Sequence, residues 1–430
     1  MALHETSKPT VRRVHENTVE DASGGKIDGN QTIKPEIKYY LYPLELFPSF
    51  WGPESKCDHS KIYNPKHDGY IYAIQAMKRH PWRTLNPSEA KLAVLPISID
   101  VFAHGGCPGL KPETILEEVQ SVITISTIFP KIRHVFIATD WLQRDGMPGK
   151  IFDMLKPAGI KVAMEGRGDC QTSFPYNTNY AEFMSLRSPN GWRMPNPAPF
   201  GKRRIYSVNM VGTFVEKGGF KERVALFTSN GSLPKSFIVS NLKLNGKHQI
   251  AMMKKGFHLR FCEQRNDTDR CLSRDDFPSR EETQSVMEQS NYTLALRGDT
   301  PGSDRWSQAM VAGTALIHVI AGDWQWNWLP FPCEIPWRDM VLSIPRHEYM
   351  KDPIKSIKSL IGSVTEERLL ELQRLSVHYA ADIDWAAHDS KVLENFLRES
   401  YYVPCRAFEQ SMGVSHSVKL QEQGWCVPHR

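Results

Sequence analysis

The chain has 430 residues, 40% of them hydrophobic and eleven of them Trp, with 53 Lys and Arg against 48 Asp and Glu for a formal charge of +5. That length exceeds one ordinary core and fits about two domains. The small charge and the lack of a basic run give nucleic acid no footing, and no stretch approaches the ~18–20 apolar residues of a membrane span.

In chain order, residues 1–36 are polar, Gly-bearing and poor in core formers, without an apolar signal core, and are expected to be a disordered lead-in or the stub of a stalk. The folded part is expected to begin with a strand at 37–42. A helix near 68–78, a strand at 92–99, a helix over about 111–128 and a strand at 134–139 follow. A short helix at 151–155 and a strand at 160–164 complete a first α/β domain, 37–200. Its end, SPNGWRMPNPAPF, holds four prolines and a glycine and reads as an interdomain crossing. A second alternation, 201–364, takes a strand from 203–208, a helix at 221–228, a strand at 236–239 and a helix at 280–289. It continues with strands at 292–296 and 315–320. Residues 365–398 carry a largely helical pattern within a C-terminal segment of helices and tail, 365–430. Strands alternating with helices imply two doubly wound parallel sheets and a cleft between them.

Between the runs YTLAL (292–296) and ALIHVI (315–320) lies Arg297-Gly298-Asp299-Thr300-Pro301, then a helix entered near Ser303 and Arg305 and closed at Gly313. A helix N-terminus beside strand ends favours anions, and the guanidinium forks of Arg297 and Arg305 suit phosphate. The triplet Asp382-Ile383-Asp384 falls in a helical pattern, where residues two apart do not share a face, and is expected to be surface charge. No Cys-x-x-Cys pair occurs, so no metal is expected; Cys262 and Cys271 bracket a polar segment and would suit a local disulfide in an oxidising lumen. Sequons stand at Asn30, Asn230, Asn266 and Asn291.

The pattern strand, R-G-D-T-P-x-S-x-R, apolar helix, Gly, strand resembles the donor-site signature of exostosin-like glycosyltransferases, family 47. Similar passages occur at Tyr39-Tyr40-Leu41-Tyr42-Pro43-Leu44, at Pro87 to Pro96, at Gly212 with Arg223, and at Leu329-Pro330-Phe331 with Trp337. The chain departs from the family at Gly313-Thr314-Ala315-Leu316-Ile317, where Gly-Cys-Ile-Pro-Val is usual.

The resemblance implies a GT-B architecture and a metal-independent transfer of sugar from a nucleotide-diphosphate donor, UDP-linked, to a glycan or glycoprotein, with no cofactor. Arg223, Arg297 and Arg305, with backbone near Gly212, Gly298 and Thr300, would clamp the diphosphate. Asp299 would orient the loop, and Asp323 at the end of the 315–320 strand would meet a ribose hydroxyl or cap its loop. Candidate bases at strand ends of the first domain are Asp100 and Asp140, with His104, Glu165 and Asp169 behind them. The resemblance also points to a Golgi lumen, with the cytoplasm as the alternative, and leaves room for a homo- or heterodimer. A non-catalytic nucleotide-sugar or glycan binder is the competing function. An NAD-type oxidoreductase is disfavoured, since no G-x-G-x-x-G follows a strand.

Overall fold

The computed structural model describes residues 35–57, 69–98, 106–137, 204–214, 221–229, 233–242, 280–298, 304–385 and 390–402, with short pieces at 150, 153, 159–163, 171–173, 175, 262–263, 270–271, 405 and 410. Residues Glu36–Arg430 form one compact unit. The first part builds β1 (Tyr39–Leu41), α1 (Pro48–Trp51), α2 (Gly69–Arg79), β2 (Arg83–Thr84), β3 (Leu92–Ser98), α3 (Pro112–Ile125), β4 (Arg133–Ile137), β5 (Gly159–Ala163) and β6 (Gln171–Ser173). These strands pair in the order β2-β1-β3-β4-β5-β6, and every pairing is parallel.

The second part builds β7 (Tyr206–Phe214), α4 (Lys221–Thr228), β8 (Ser236–Leu242), β9 (Cys262–Glu263), β10 (Arg270–Cys271), α5 (Arg280–Glu288), β11 (Ser290–Leu294), α6 (Asp304–Val311), β12 (Ala315–Ile320), α7 (Trp337–Met340) and β13 (Val341–Pro345). Its parallel sheet runs β13-β12-β11-β7-β8. The antiparallel pair β9–β10 sets Cys262 opposite Cys271 in register. Helices α8 (Arg346–Tyr349), α9 (Pro353–Ser363), α10 (Glu366–His378) and α11 (Val392–Tyr402) close the described chain. The architecture is thus α/β, two Rossmann-like doubly wound parallel sheets.

Central strands buried on both faces need near-continuous apolar runs, and this is why β4, β11 and β12 are legible as such. The short edge strands β2 and β6 and the strand β13 carry weaker patterns, and the sequence reading gives none of them. The helix α6 ends at Gly313, with φ +61°; Gly313 N–H donates to Met310 O and Thr314 N–H to Ala309 O, each at 3.0 Å. This left-handed cap turns the chain straight into β12.

The expected helical stretch 365–398 is two helices, α10 and α11, parted by a 3-10 turn at Ala380–Asp382. Asp382 and Asp384 are 4% and 1% exposed, which corrects their reading as surface charge. The Asn395 amide from α11 donates to Asp382 Oδ1 at 2.8 Å, so the carboxylate is covered and still hydrogen-bonded. The same helix packs on β3, β6 and α2 of the first part. Its Arg398 pairs with Glu334 at 2.7 Å, and Glu399 accepts from Cys333 N–H at 3.0 Å, which ties the loop before α7 to that helix. Cys57 and Cys107 form a disulfide with a sulfur–sulfur distance of 2.04 Å, and Cys405 is also disulfide-bonded. No helix among the described residues is long and apolar enough to cross a membrane.

Candidate functional site

In a doubly wound sheet, ligands bind outside the carboxyl ends of the strands where the strand order reverses. In the second sheet that point lies between β7 and β11, because β8 was added on one side of β7 and β11 on the other. Four of the expected residues flank it, Gly212 and Arg305 on the β7 side and Arg223 and Arg297 on the β11 side. Gly212, near the carboxyl end of β7, lies under the Arg305 guanidinium of α6: a Cβ built on Gly212 would stand 2.5 Å from Arg305 Nη2 and 2.9 Å from Cζ. Arg305 Nε–H also donates to the Val211 carbonyl. The sequence needs glycine here for close approach between a side chain and the strand backbone, a use of glycine distinct from positive φ.

On the other side of the reversal, β11 leads into Leu296, Arg297 and Gly298. Arg223, in the first turn of α4 and 4% exposed, donates to Leu296 O through Nε at 3.3 Å and Nη2 at 3.0 Å. Its guanidinium therefore fixes the exit of β11, the segment that carries Arg297. Arg297 Nε is buried and has no hydrogen-bond partner. A buried, unsatisfied donor of a charged group costs more than a neutral one, so this atom marks a place prepared for an acceptor.

Behind the arginines lies a polar group that the sequence reading missed. Glu222, 1% exposed, pairs through Oε1 with Arg346 Nε at 2.5 Å, while its Oε2 has no partner. Tyr349 O–H donates to the Glu222 carbonyl at 3.2 Å. The buried imidazole of His318 on β12 bonds through Nδ1 with Ala295 O at 2.9 Å, so Nδ1 carries the proton and Nε2 is an acceptor, also unpartnered. Burial pushes the His318 pKa down to about 4, opposed by that hydrogen bond and by Glu222 and reinforced by Arg297. The signals available in sequence were a charged pair, Glu222-Arg223, in a first helical turn, and a histidine inside an apolar strand; both are more common as ordinary caps and core residues.

Gly298 is buried in a bend. Asp299, Thr300 and Ser303 of the loop lie outside the described residues, as do Asp100, Asp140, His104, Glu165 and Asp169. Asp323 does stand past the carboxyl end of β12, opening a 3-10 helix (Asp323–Trp328); it is exposed and 3.4 Å from Arg338 Nη1.

No protein-family model matches the chain, and no curated protein does. Solved structures do, remotely. A GtfA/B complex matches at 11% identity with a TM-score of 0.33, over 66% of this chain and 60% of that one, so the chain spans well under the length of that relative. WaaG, a glycosyltransferase involved in lipopolysaccharide biosynthesis, matches at 9% identity and TM-score 0.36, over 84% and 98% of the two chains. A mutant O-GlcNAc transferase of Thermobaculum terrenum matches at 12% and 0.41, over 88% and 70%.

Proposed function

We propose that this chain transfers a sugar from a nucleotide-diphosphate donor, UDP-linked, to a glycan or glycoprotein, without a metal ion. The observation that carries the reading is the gathering of Arg223, Arg297 and Arg305 at the β7–β11 reversal, with Arg305 laid on Gly212 and Arg297 Nε buried without an acceptor. A diphosphate supplies bidentate acceptors of the kind guanidinium forks favour.

In that role the residues divide the work. Arg223 holds the β11 exit by its bonds to Leu296 O, and so sets where Arg297 stands. Arg297 and Arg305 face the phosphates, and α6, eight residues long, points its N-terminal amides into the same crevice. As the bond between sugar and diphosphate breaks, negative charge grows on the leaving oxygen. Fixed guanidinium groups stabilise it there, at about 3–4 kcal/mol for a donor of this kind when removed. Positive charge from arginine takes the place that a divalent cation would hold, which is the basis for metal independence. The finer assignment, to an exostosin-like enzyme with an acceptor half at 37–200 and a donor half at 201–364, rests on the R-G-D-T-P-x-S-x-R signature. A luminal, oxidising compartment such as the Golgi is supported by the Cys57–Cys107 disulfide.

Titration calorimetry with UDP in the presence of EDTA tests the reading. Arg297→Ala and Arg305→Ala are each expected to weaken UDP binding at least about a hundredfold while thermal melting stays near that of the parent. Unchanged affinity in both variants, or binding abolished by EDTA, would sink it.

A further inference from the structure

Two consecutive carbonyls at the exit of β11 are gripped by side chains. Ala295 O accepts from His318 Nδ1–H of β12 at 2.9 Å, and Leu296 O accepts from Arg223 of α4, through Nε at 3.3 Å and Nη2 at 3.0 Å. His318 is fixed by its strand, but Arg223 stands in the first turn of a helix, and the anchor of that turn is the neighbouring, buried Glu222. Its side chain and its backbone are each taken by one residue of α8, the turn that follows β13. Arg346 Nε–H donates to Glu222 Oε1 at 2.5 Å, and Tyr349 O–H donates to the Glu222 carbonyl at 3.2 Å. Residues three apart on a helix share a face, so one face of α8 supplies both contacts.

These contacts contribute more to position than to net stability. Glu222 Oε2 has no hydrogen-bond partner, so Arg346 is the carboxylate's single ion-pair contact among the described residues, and desolvation of a buried carboxylate offsets most of what that contact gains. Tyr349 is wholly buried; burial, and then the charge of Glu222, raise its pKa well above the ordinary value, so its hydroxyl stays a donor. We propose that Arg346 and Tyr349 are positioning residues of the arginine crevice: by holding Glu222 they seat the first turn of α4, so that Arg223 keeps the exit of β11, and with it Arg297, in place.

The hold reaches across the sheet. β12 separates β13 from β11, and neighbouring strands lie about 4.8 Å apart, so α8 acts on a strand end about 10 Å away. No side chain of α8 needs to touch a ligand for this. Without the Arg346 cation the Glu222 carboxylate would be buried unpaired, and the first turn of α4 would have to open toward water to hydrate it. Arg223, one residue on, would move with that turn and release Leu296 O. Without the Tyr349 hydroxyl only a backbone carbonyl loses its partner, and the turn shifts less. On the transferase reading, and only on that reading, the displaced Arg297 is a ligand of the diphosphate; the hold on the β11 exit does not depend on it.

Two measurements on the whole chain test this. The first is NMR hydrogen exchange of the Arg223 Nε–H, identified by its disappearance in Arg223→Lys. Exchange is expected to be about tenfold faster in Arg346→Met and about threefold faster in Tyr349→Phe, while the backbone amides of β7 and β12 keep their parent rates. The second is calorimetry with UDP, in which the two variants are expected to lose affinity by about the same factors. In an Arg223→Lys background neither is expected to cost anything further, because the path through Arg223 is already cut; a merely structural role would cost the same in both backgrounds. Tyr349→Phe removes one hydroxyl only and carries the test if Arg346→Met does not fold. The proposal is overturned if Arg223 exchange stays at the parent rate in the folded variants, if UDP affinity stays at the parent value, or if the losses add fully to that of Arg223→Lys. A parent that binds no UDP refutes the transferase reading, and the exchange rates then decide the proposal alone.

Discussion

At the scale of single residues, the donor crevice depends on one missing side chain. Gly212 lets the Arg305 guanidinium lie against β7, where Nε is held by the Val211 carbonyl. In Gly212→Ala the new methyl group would meet Nη2 at 2.5 Å, and the flexible guanidinium, not the strand, must give way. The expected outcome is a fold of unchanged melting temperature whose UDP affinity falls nearly as far as in Arg305→Ala, with calorimetry and thermal melting as the two measurements. Parent-like affinity would mean that Arg305 acts from some other position. The departure at Thr314 reads differently once placed. Thr314 precedes β12 at its amino end, where its hydroxyl meets Thr293 Oγ1 at 2.9 Å and its carbonyl accepts from Ser376 at 2.9 Å. In a parallel sheet the amino end is the end opposite to the arginines, so this change of residue type serves the packing of α10 and leaves the crevice untouched.

At the scale of elements, the least regular part of the first sheet is also the most braced. The segment from α1 to Cys57 contains one turn of helix, anchored in the core by the buried Phe50 and the half-buried Trp51. The disulfide to Cys107 closes a loop with a sequence separation of 50, which by chain entropy is worth about 4 kcal/mol. Urea unfolding of Cys57→Ser/Cys107→Ser is expected to show a loss of that order. A double variant as stable as the parent would show that the loops are ordered without the bridge. The pairing was not legible in the sequence, where Cys57 sits beside Asp58 and His59 and suggests only a metal site lacking companions. Disulfide partners are set by which loops the sheet brings together, and β1 and β3 are neighbours only in the folded sheet.

At the scale of the whole molecule, each half buries one neutral histidine in its sheet. His134 in β4 accepts from Tyr42 O–H through Nε2 at 2.8 Å while Nδ1 bonds Ile132 O at 2.9 Å; burial pushes its pKa down to about 4, against that backbone bond. His318 in β12 is likewise held at about 4. Both values lie below the 6.5 of a free imidazole, so between those limits the unfolded chain takes up protons that the folded chain refuses. Stability is then complete above pH about 6.5 and falls as pH drops toward 4, by about 3 kcal/mol for each imidazole. Thermal melting across that window is expected to show the fall, and His134→Asn/His318→Asn should flatten it; a parent flat over the same range would refute two buried neutral histidines. The sequence by itself determined the α/β alternation, the central strands and the arginine loop, because burial on both faces and cap chemistry are written in local residue patterns. Only the tertiary structure decided which strands are neighbours, and with them the two reversals of order. Those reversals laid Arg305 on Gly212, buried Glu222 and His318 behind the arginines, and joined Cys57 to Cys107, since contacts between residues far apart in the chain leave no periodic trace along it.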